Sequence, residues 1–407
     1  MKYTNKCLVS PNVIARLRFL EELQDGGVNA FLEAISNPGE WFYLRVNVLK
    51  AKRDELVNRL RSRLPNLTIE EDPKIPEAIK IHVDGPMEID EQEKKIDIDK
   101  FAAESVIIAA PLFSAGFKGT KSSFKKGDLV SMHHRFSTPW DGTQHDMFCG
   151  NCSALYHSDT ISSIAKTIIA RTVEPWFYVP SFQEWNEFKQ GMLVDQAFPS
   201  MVATRVLDPQ PGDQVLDVCC GAGGKSTHIA QLMQDKGSII SIDRSGQKLD
   251  QLARRAERMG ITCIEPLQVA AEHMKSHLAR SSPSKLFVDP PCSALGLRPK
   301  LYVDDTISDL DSFVANQIRI LRFALDCVDP GTTCVYSTCT VTYEENEGVI
   351  AKVIEKDNMK IVDPGIKIGH PGLETDVLSK AESQKLVRFF PHLDGVEGFF
   401  IAKLEKQ

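Results

Sequence analysis

The chain has 407 residues, 42% of them hydrophobic and 25% charged, with a formal net charge of −7. That is the composition of a globular protein of two or three domains. It holds no apolar run long enough to cross a bilayer, and its ten cysteines are spread too widely to form a disulfide framework. The negative total weighs against a nucleic-acid partner without excluding one, because such binding follows local patches rather than sums.

The opening "MKYTNKCLVSPNVIARLRF" lacks the apolar core and small-residue cleavage site of a secretory signal. Together with free thiols this suits a reducing, cytoplasmic setting. Residues 11–35 carry helical apolar spacing, "WFYLRVNVL" (41–49) reads as a strand, "KRDELVNRLRSRL" (52–64) as an amphipathic helix with a basic face, and "AIKIHV" (78–83) as a strand. This is a small α+β unit. The charged stretch 85–100 reads as a boundary. Residues 105–136 then alternate apolar runs with Gly-Asp and Lys-Gly turns, the pattern of a small β-barrel, and the all-β character lasts to about Ile161. A second boundary falls near 174–182.

From about Pro209 the rhythm changes. "QVLDVCC", "SIISID", "KLFVDPP" and "TTCVYSTC" are short, nearly continuous apolar runs. Between and after them come the helical patterns "KSTHIAQLMQ", "QKLDQLARRAERM", "DSFVANQIRILRFALDCV" and "NEGVIAKVIEK". Strands alternating with helices of this length give a parallel α/β sheet. The domains expected are 1–98, 99–175 and 176–407.

The first of these strands runs into "DVCCGAGGKST" (217–227). A phosphate loop would need glycine at position 219, where the chain has Cys, and the dinucleotide fingerprint would need glycine at 226, where it has Ser. What remains is a strand-terminal acid, Asp217, a loop with Gly221, Gly223 and Gly224, and a second strand-terminal acid, Asp243, which can accept ribose hydroxyls. S-adenosylmethionine, which has no pyrophosphate to cradle, fits this better than NAD.

The strand "KLFV" runs into "DPPCSALG", and the last strand ends in "YSTCT". Ligands of open parallel sheets lie outside the strands' carboxyl ends, so Cys292 and Cys339 both face the expected cleft. Either cysteine alone reads as a buried filler, as Cys219, Cys220, Cys327 and Cys334 do. The pair, one beside Asp289-Pro-Pro, resembles the two cysteine motifs of the NSUN family of RNA cytosine-5 methyltransferases. "FYLRVNVLK" (42–50), "QAFPSMVATRVLDPQPGD" (196–213), the Gly-Gly-Lys-Ser-Thr loop and "GFFIAKL" carry the same resemblance through most of the chain. The β-rich insert resembles a PUA domain, and the N-terminal unit is taken as RRM-like.

The resemblance implies a Rossmann-like domain that takes S-adenosylmethionine and methylates carbon 5 of a tRNA cytosine at the acceptor end, cytosine 72, in a monomeric enzyme. A ribosomal-RNA enzyme and a silent RNA-binding module are the alternatives. The chemistry is covalent: a thiolate on carbon 6 makes carbon 5 nucleophilic. By resemblance Cys339 is that nucleophile and Cys292 assists release. Asp289 meets the cytosine edge, and Lys225 raises the thiolate fraction of a group whose free pKa is about 8.5. Implied cofactor contacts are Cys219, Cys220, Gly221, Ala222, Gly223, Gly224, Lys225, Asp243, Arg244, Gln268 and Asp289. Implied RNA contacts are Lys118, Lys121, Lys125 and Lys126, with Arg45 and Asn47 of the "RVN" signature.

Three departures from the family pattern stand out. Ala222 occupies a position that is often proline, Cys219-Cys220 replaces a Cys-Ala pair, and Ala270 stands where an acid often binds adenine. Adenine recognition is therefore expected to rest on backbone groups. His145, Cys149, Cys152 and His157 have metal-ligand spacing on paper, but the reading favoured is a glycine turn between barrel strands, with no metal. The acids after Cys339 suggest a capping box, Thr342 to Glu345, that starts a helix running to about Lys356.

Overall fold

The structure is a computed structural model and describes residues 6–22, 27–278, 283–303 and 310–407. It groups into two compact units. The first takes Met1–Phe42, His82–Phe182 and Arg298–Asp305, and the second takes Tyr43–Ile81, Gln183–Leu297 and Thr306–Gln407.

The second unit is built on a sheet whose strands run, in spatial order, Ile264–Gln268, Ser238–Asp243, Gln214–Val218, Lys285–Val288, Thr333–Thr338, Phe399–Lys406 and Met359–Ile361. Val387–Phe389 also pairs with Phe399–Lys406. The first five strands are parallel and Phe399–Lys406 joins them antiparallel. This is a Rossmann-like arrangement. The apolar runs form strands because both faces are covered. Leu216, Val218, Leu286, Val288 and Tyr336 enter one core with Leu321, Ala324 and Ile350. Their strand neighbours Val215, Phe287 and Val335 enter another with Met201, Val206 and Ile229.

The helix Gly246–Met259 buries Leu249, Leu252, Ala256 and Met259, an i, i+3, i+7, i+10 stripe. Ser245 caps its start, and Gly260, in the left-handed region, ends it. Also in this unit, Leu44–Val46 pairs with Leu193–Asp195 and Ile69–Glu71 with Ile79–Ile81. The helix Arg53–Arg63 buries Leu56, Val57 and Leu60 there.

The first unit holds a six-stranded sheet ordered Leu112–Phe113, Ile168–Pro175, Gln144–Ala154, Leu129–Ser137, Lys95–Ile98 and Phe117–Gly119. Its core includes Ile96, Ile98, Val130, Met132, Cys149, Cys152, Ile169 and Trp176.

Three expectations need correction. The charged stretch 85–100 is no linker: Lys95–Asp97 pairs with Ser131–His133, and Asp97–Ile98 with Phe117 and Gly119. A division at 98/99 would cut through this sheet. The strand is half disguised because only Ile96 and Ile98 point inward while Lys95 and Asp97 face out. The run beginning at Ser105 is the end of a helix, Lys100–Val106, capped by Asp99, whose carboxylate accepts from the Ala102 amide. The expected N-terminal unit is also divided, since residues 43–81 group with the Rossmann-like unit. Of the helical stretch 11–35, Pro11–Arg16 and Gly27–Ser36 are α-helix and Arg18–Glu22 is a 3-10 turn; residues 23–26 lie outside the described residues.

Candidate active site

A cavity of about 510 Å³ opens at the carboxyl ends of the parallel strands, within the 300–1,000 Å³ usual for small-molecule sites. Its first wall is the glycine loop. Strand Gln214–Val218 ends, Cys219 turns with φ +63°, Gly221 follows with φ +57°, and Gly223 (φ +79°) opens the helix Gly224–Leu232. Gly223 is required twice over: its φ is left-handed, and a Cβ there would lie 2.1 Å from Leu252 Cδ1. Cys219, Cys220, Gly221, Ala222, Gly224 and Lys225 line the cavity, while Gly223 acts through conformation and is not part of the lining. Burial pushes the Cys219 thiol up to about 12 and the Cys220 thiol higher still, so both are inert packing groups at neutral pH.

Asp243 lines the second wall. The Gly221 amide donates to its Oδ2 at 3.1 Å and the Ser245 amide to its Oδ1 at 2.8 Å, which fixes the carboxylate at the strand end. Arg244, Ala270, Ala271 and Glu272 continue this wall. Gln268 does not line it; its amide instead donates to the Arg244 carbonyl at 3.2 Å. Asp217 sits beneath the loop and is fully buried. Ser226 Oγ donates to its Oδ2 at 2.5 Å, and burial raises its pKa to about 7.

The far wall brings four expected residues together. Cys292 Sγ and Cys339 Sγ are 3.4 Å apart. Lys225 Nζ donates to Asp289 Oδ2 at 2.7 Å, and Ser337 Oγ donates to Asp289 Oδ1 at 2.8 Å. The hydrogen bond to Cys339, with burial and the nearby Glu345 carboxylate, pushes the Cys292 thiol well up. Burial pulls on Lys225, but Asp289, with a further contribution from the charge of Cys339, outweighs it and raises the ammonium pKa. Of the two touching thiols, Cys339 is the one whose charge Lys225 feels.

Sequence reasoning missed what holds these groups. Glu345 is fully buried. It accepts from the Ser293 amide (2.8 Å), Ser293 Oγ (2.6 Å), Thr342 Oγ1 (2.8 Å) and Gln317 Nε2 (2.9 Å). The expected capping box is absent. The helix Glu347–Lys356 has Asn346 at its cap position with no side-chain cap bond, because Glu345 is occupied by the cysteine loop. Asn346 instead takes the Thr338 hydroxyl at 2.5 Å and donates to the Thr340 carbonyl. Only the acid cluster six residues after Cys339 hinted at any of this.

Arg45 and Asn47 are not surface groups able to touch RNA; both are fully buried. Arg45 donates to the Gly224 carbonyl (2.9 Å), Thr227 Oγ1 (3.0 Å) and Gln196. Asn47 donates to the carbonyls of Gly191 and Met259, both at 2.9 Å. Arg45 braces the start of the glycine-loop helix, and Asn47 ties its own strand end to Gly191 and to the end of the helix Gly246–Met259. Lys118, Lys121, Lys125 and Lys126 are exposed, Lys118 lying 3.6 Å from Asp99. Cys149 and Cys152 lie in the first unit's core, where burial pushes both up to about 12. His145 stacks on Phe136, and His157 is exposed.

Residues 204–405 match the family model described as 16S rRNA methyltransferase RsmB/F. The tRNA (cytosine(72)-C(5))-methyltransferase of Pyrococcus horikoshii is 32% identical over 93% of this chain and 92% of its own. The chain belongs to the NSUN family of S-adenosylmethionine-dependent RNA cytosine-5 methyltransferases. Its human relative, tRNA (cytosine(72)-C(5))-methyltransferase NSUN6, is 27% identical over 88% of this chain and 82% of its own. The crystal structure of NSun6 from Pyrococcus horikoshii with SFG superposes with a TM-score of 0.84, covering 98% of both chains. The donor set in the cavity suits the family's cofactor. Loop backbone and a fixed carboxylate, Asp243, face apolar Ile242, Val269 and Ile320, so a ribose and a flat base find matching surfaces in one site.

Proposed function

We propose that this NSUN-family enzyme methylates carbon 5 of a tRNA cytosine, cytosine 72 of the acceptor stem, through a covalent adduct with Cys339. The observation that carries the mechanism is the Cys292–Cys339 contact of 3.4 Å at the rim of a cavity walled by the glycine loop. The cofactor supplies an electrophilic methyl group. Loop residues 219–222 and Asp243 hold it, with Ala270 and Ala271 offering backbone rather than an acid to the adenine. Cys339 adds to carbon 6 of the flipped-out base, and Lys225 stabilises the thiolate that attacks. Asp289, fixed by Lys225 and Ser337, accepts from or shares a proton with the cytosine edge. Once carbon 5 carries the methyl group, its proton must leave before the carbon 6–sulfur bond can break. Cys292, beside Cys339, gives up its own proton to solvent and as a thiolate takes the carbon-5 proton or relays it.

The remaining assignments follow from the family resemblance. The six-stranded sheet of the first unit serves as a PUA-like RNA-binding body that grips the acceptor end, and Lys118, Lys121, Lys125 and Lys126 supply phosphate contacts. The segment around 41–83 is RRM-like in its β-α-β order, the enzyme is a monomer, and its free cysteines suit the cytoplasm. A tRNA substrate is favoured over ribosomal RNA because the tRNA enzyme of Pyrococcus horikoshii is 32% identical over 93% of the chain, against 23% over 91% for the rRNA (cytosine-C(5))-methyltransferase NOP2C of Arabidopsis thaliana.

The test uses labelled tRNA and S-adenosylmethionine with Cys339→Ala and Cys292→Ala. Cys339→Ala should be inert and Cys292→Ala should accumulate a denaturant-resistant protein–RNA adduct. Normal methylation by Cys339→Ala would refute the mechanism, and undiminished methylation of a tRNA lacking cytosine at position 72 would refute the target.

A further inference from the structure

We propose that Glu345 is a positioning residue for product release: it holds the Cys292 loop against Cys339, and its loss stalls the adduct rather than preventing it. The proposal rests on the roles given above to the two cysteines. Cys339 ends a strand whose backbone is held by the sheet, Thr338 standing opposite Phe400. Cys292 lies in irregular chain after the strand Lys285–Val288, between Asp289, whose amide donates to the Val218 carbonyl at 3.2 Å, and Gly296, whose amide donates to the Cys339 carbonyl at 3.0 Å.

Its place is fixed from both sides by side chains. Behind it, Gln317 Nε2 donates to the Pro291 carbonyl at 3.1 Å. Ahead of it, the Ser293 amide and hydroxyl both donate to the Glu345 carboxylate. The same Gln317 nitrogen donates to Glu345 Oε1 at 2.9 Å, so the two braces are joined. Ser293 Oγ also meets Thr340 Oγ1 at 2.8 Å, which links the loop to the residue after Cys339.

A carboxylate is the right group here. Every one of its four partners can donate, and only an ionised acid offers acceptors on both oxygens with no competing N–H. Glutamine, with little change in volume, would put an N–H₂ where one oxygen now accepts from the Ser293 and Thr342 hydroxyls, so both would have to turn round and every bond to a charged acceptor would be lost. Glu345 is itself anchored: Tyr336 Oη donates to its carbonyl at 2.8 Å, and Thr342 Oγ1 donates to its carboxylate. None of these contacts involves Lys225 or Asp289, so attack by Cys339 and recognition of the base do not pass through Glu345.

The experiment is a single-turnover reaction of the full chain with labelled tRNA and S-adenosylmethionine, scoring methylated RNA and denaturant-resistant adduct separately. Variants are Glu345→Gln, Cys292→Ala and the double variant, with Ser293→Ala as a smaller change should Glu345→Gln fold poorly. Glu345→Gln should form adduct and methylate near the wild-type rate but resolve the adduct about tenfold more slowly or worse, the loss expected when a hydrogen bond to a charged group goes. Ser293→Ala should move the same way by less. In the Cys292→Ala background, Glu345→Gln should add nothing to adduct lifetime.

If Cys292→Ala traps adduct while Glu345→Gln and Ser293→Ala do not, Glu345 is a structural residue only and the proposal is wrong. Slower adduct formation in Glu345→Gln without accumulation overturns it equally. Absence of adduct in Cys292→Ala refutes the cysteine assignment itself, a separate failure that removes the basis of the proposal.

Discussion

Three carboxylates, Asp217, Asp243 and Asp289, crowd the glycine loop around one partly buried lysine, Lys225, and the most deeply placed of them, Asp217, has its pKa raised. Asp217 has a folded pKa of about 7, raised by burial and by Asp289 and Asp243, against a reference value of 3.8. Its sign is that of a raised acid. Between pH 4 and pH 7 the folded state keeps a proton the unfolded state has lost, so this residue's contribution is full below about pH 4 and disappears as pH rises through 7. The slope contributed is at most ~1.4 kcal/mol per pH unit for one proton. Asp217→Asn keeps an acceptor for Ser226 and has no proton to lose. Denaturant unfolding of the two proteins from pH 4.5 to pH 8 should therefore show the variant gaining on the wild type as pH rises, and parallel curves would count against a raised Asp217. Beside it, Gly223→Ala places a Cβ at a left-handed φ and against Leu252. A loss of about 2 kcal/mol is expected, read as a lower denaturant midpoint, and cofactor affinity measured calorimetrically should fall with it. An unchanged midpoint would mean the loop tolerates a side chain it has no room for.

Among elements, the parallel strands were legible because strands buried on both faces are written as continuous apolar runs. Cys292 and Cys339 were legible because the ends of such strands are where ligands meet chemistry. What stayed hidden depends on partners distant in sequence. Thr342 and Glu345 have the spacing of a capping box and do touch, but the carboxylate goes to Ser293 and Gln317, and no local pattern encodes that choice. Arg45 was misread for the same reason: its partners Gln196, Gly224 and Thr227 lie far along the chain. A second tie of this kind joins the helix Glu347–Lys356 to the strand Val387–Phe389. Arg388 and Glu347, both fully buried, form an ion pair, Arg388 also donates to the Val341 carbonyl at 2.7 Å, and Glu347 accepts from the Leu373 amide at 2.9 Å. Removing one partner strands a buried charge, so Arg388→Met should cost about 3–5 kcal/mol, and adding Glu347→Gln should restore part of it. A double-mutant cycle in urea measures both. Additive losses would show that the pair is not coupled.

At the scale of the whole molecule the chain passes back and forth between its two units, and this defeats any reading that cuts a sequence into consecutive domains. Segment 43–81 looks like part of an independent N-terminal unit, yet its buried Arg45 serves the glycine-loop helix and its buried Asn47 the end of the helix Gly246–Met259. Charge is distributed just as unevenly. The total of −7 coexists with a short run in the first unit bearing four exposed lysines, Lys118, Lys121, Lys125 and Lys126, among which Lys118 has Asp99 as a partner. If these lysines meet tRNA phosphates, their loss must appear in the salt dependence of binding, because each contact releases counterions. The log–log slope should shrink by roughly 0.7–0.9 per contact removed. Changing Lys121, Lys125 and Lys126 to Gln should thus weaken tRNA binding in 0.1 M salt and flatten the salt slope by about two to three units. At saturating tRNA the methylation rate should stay near wild type, since no cavity residue is altered. Measured by filter binding across a salt series and by turnover with excess tRNA, an unchanged slope would remove this loop from the RNA interface. A fall in turnover at saturation would mean instead that it helps present the base to Cys339.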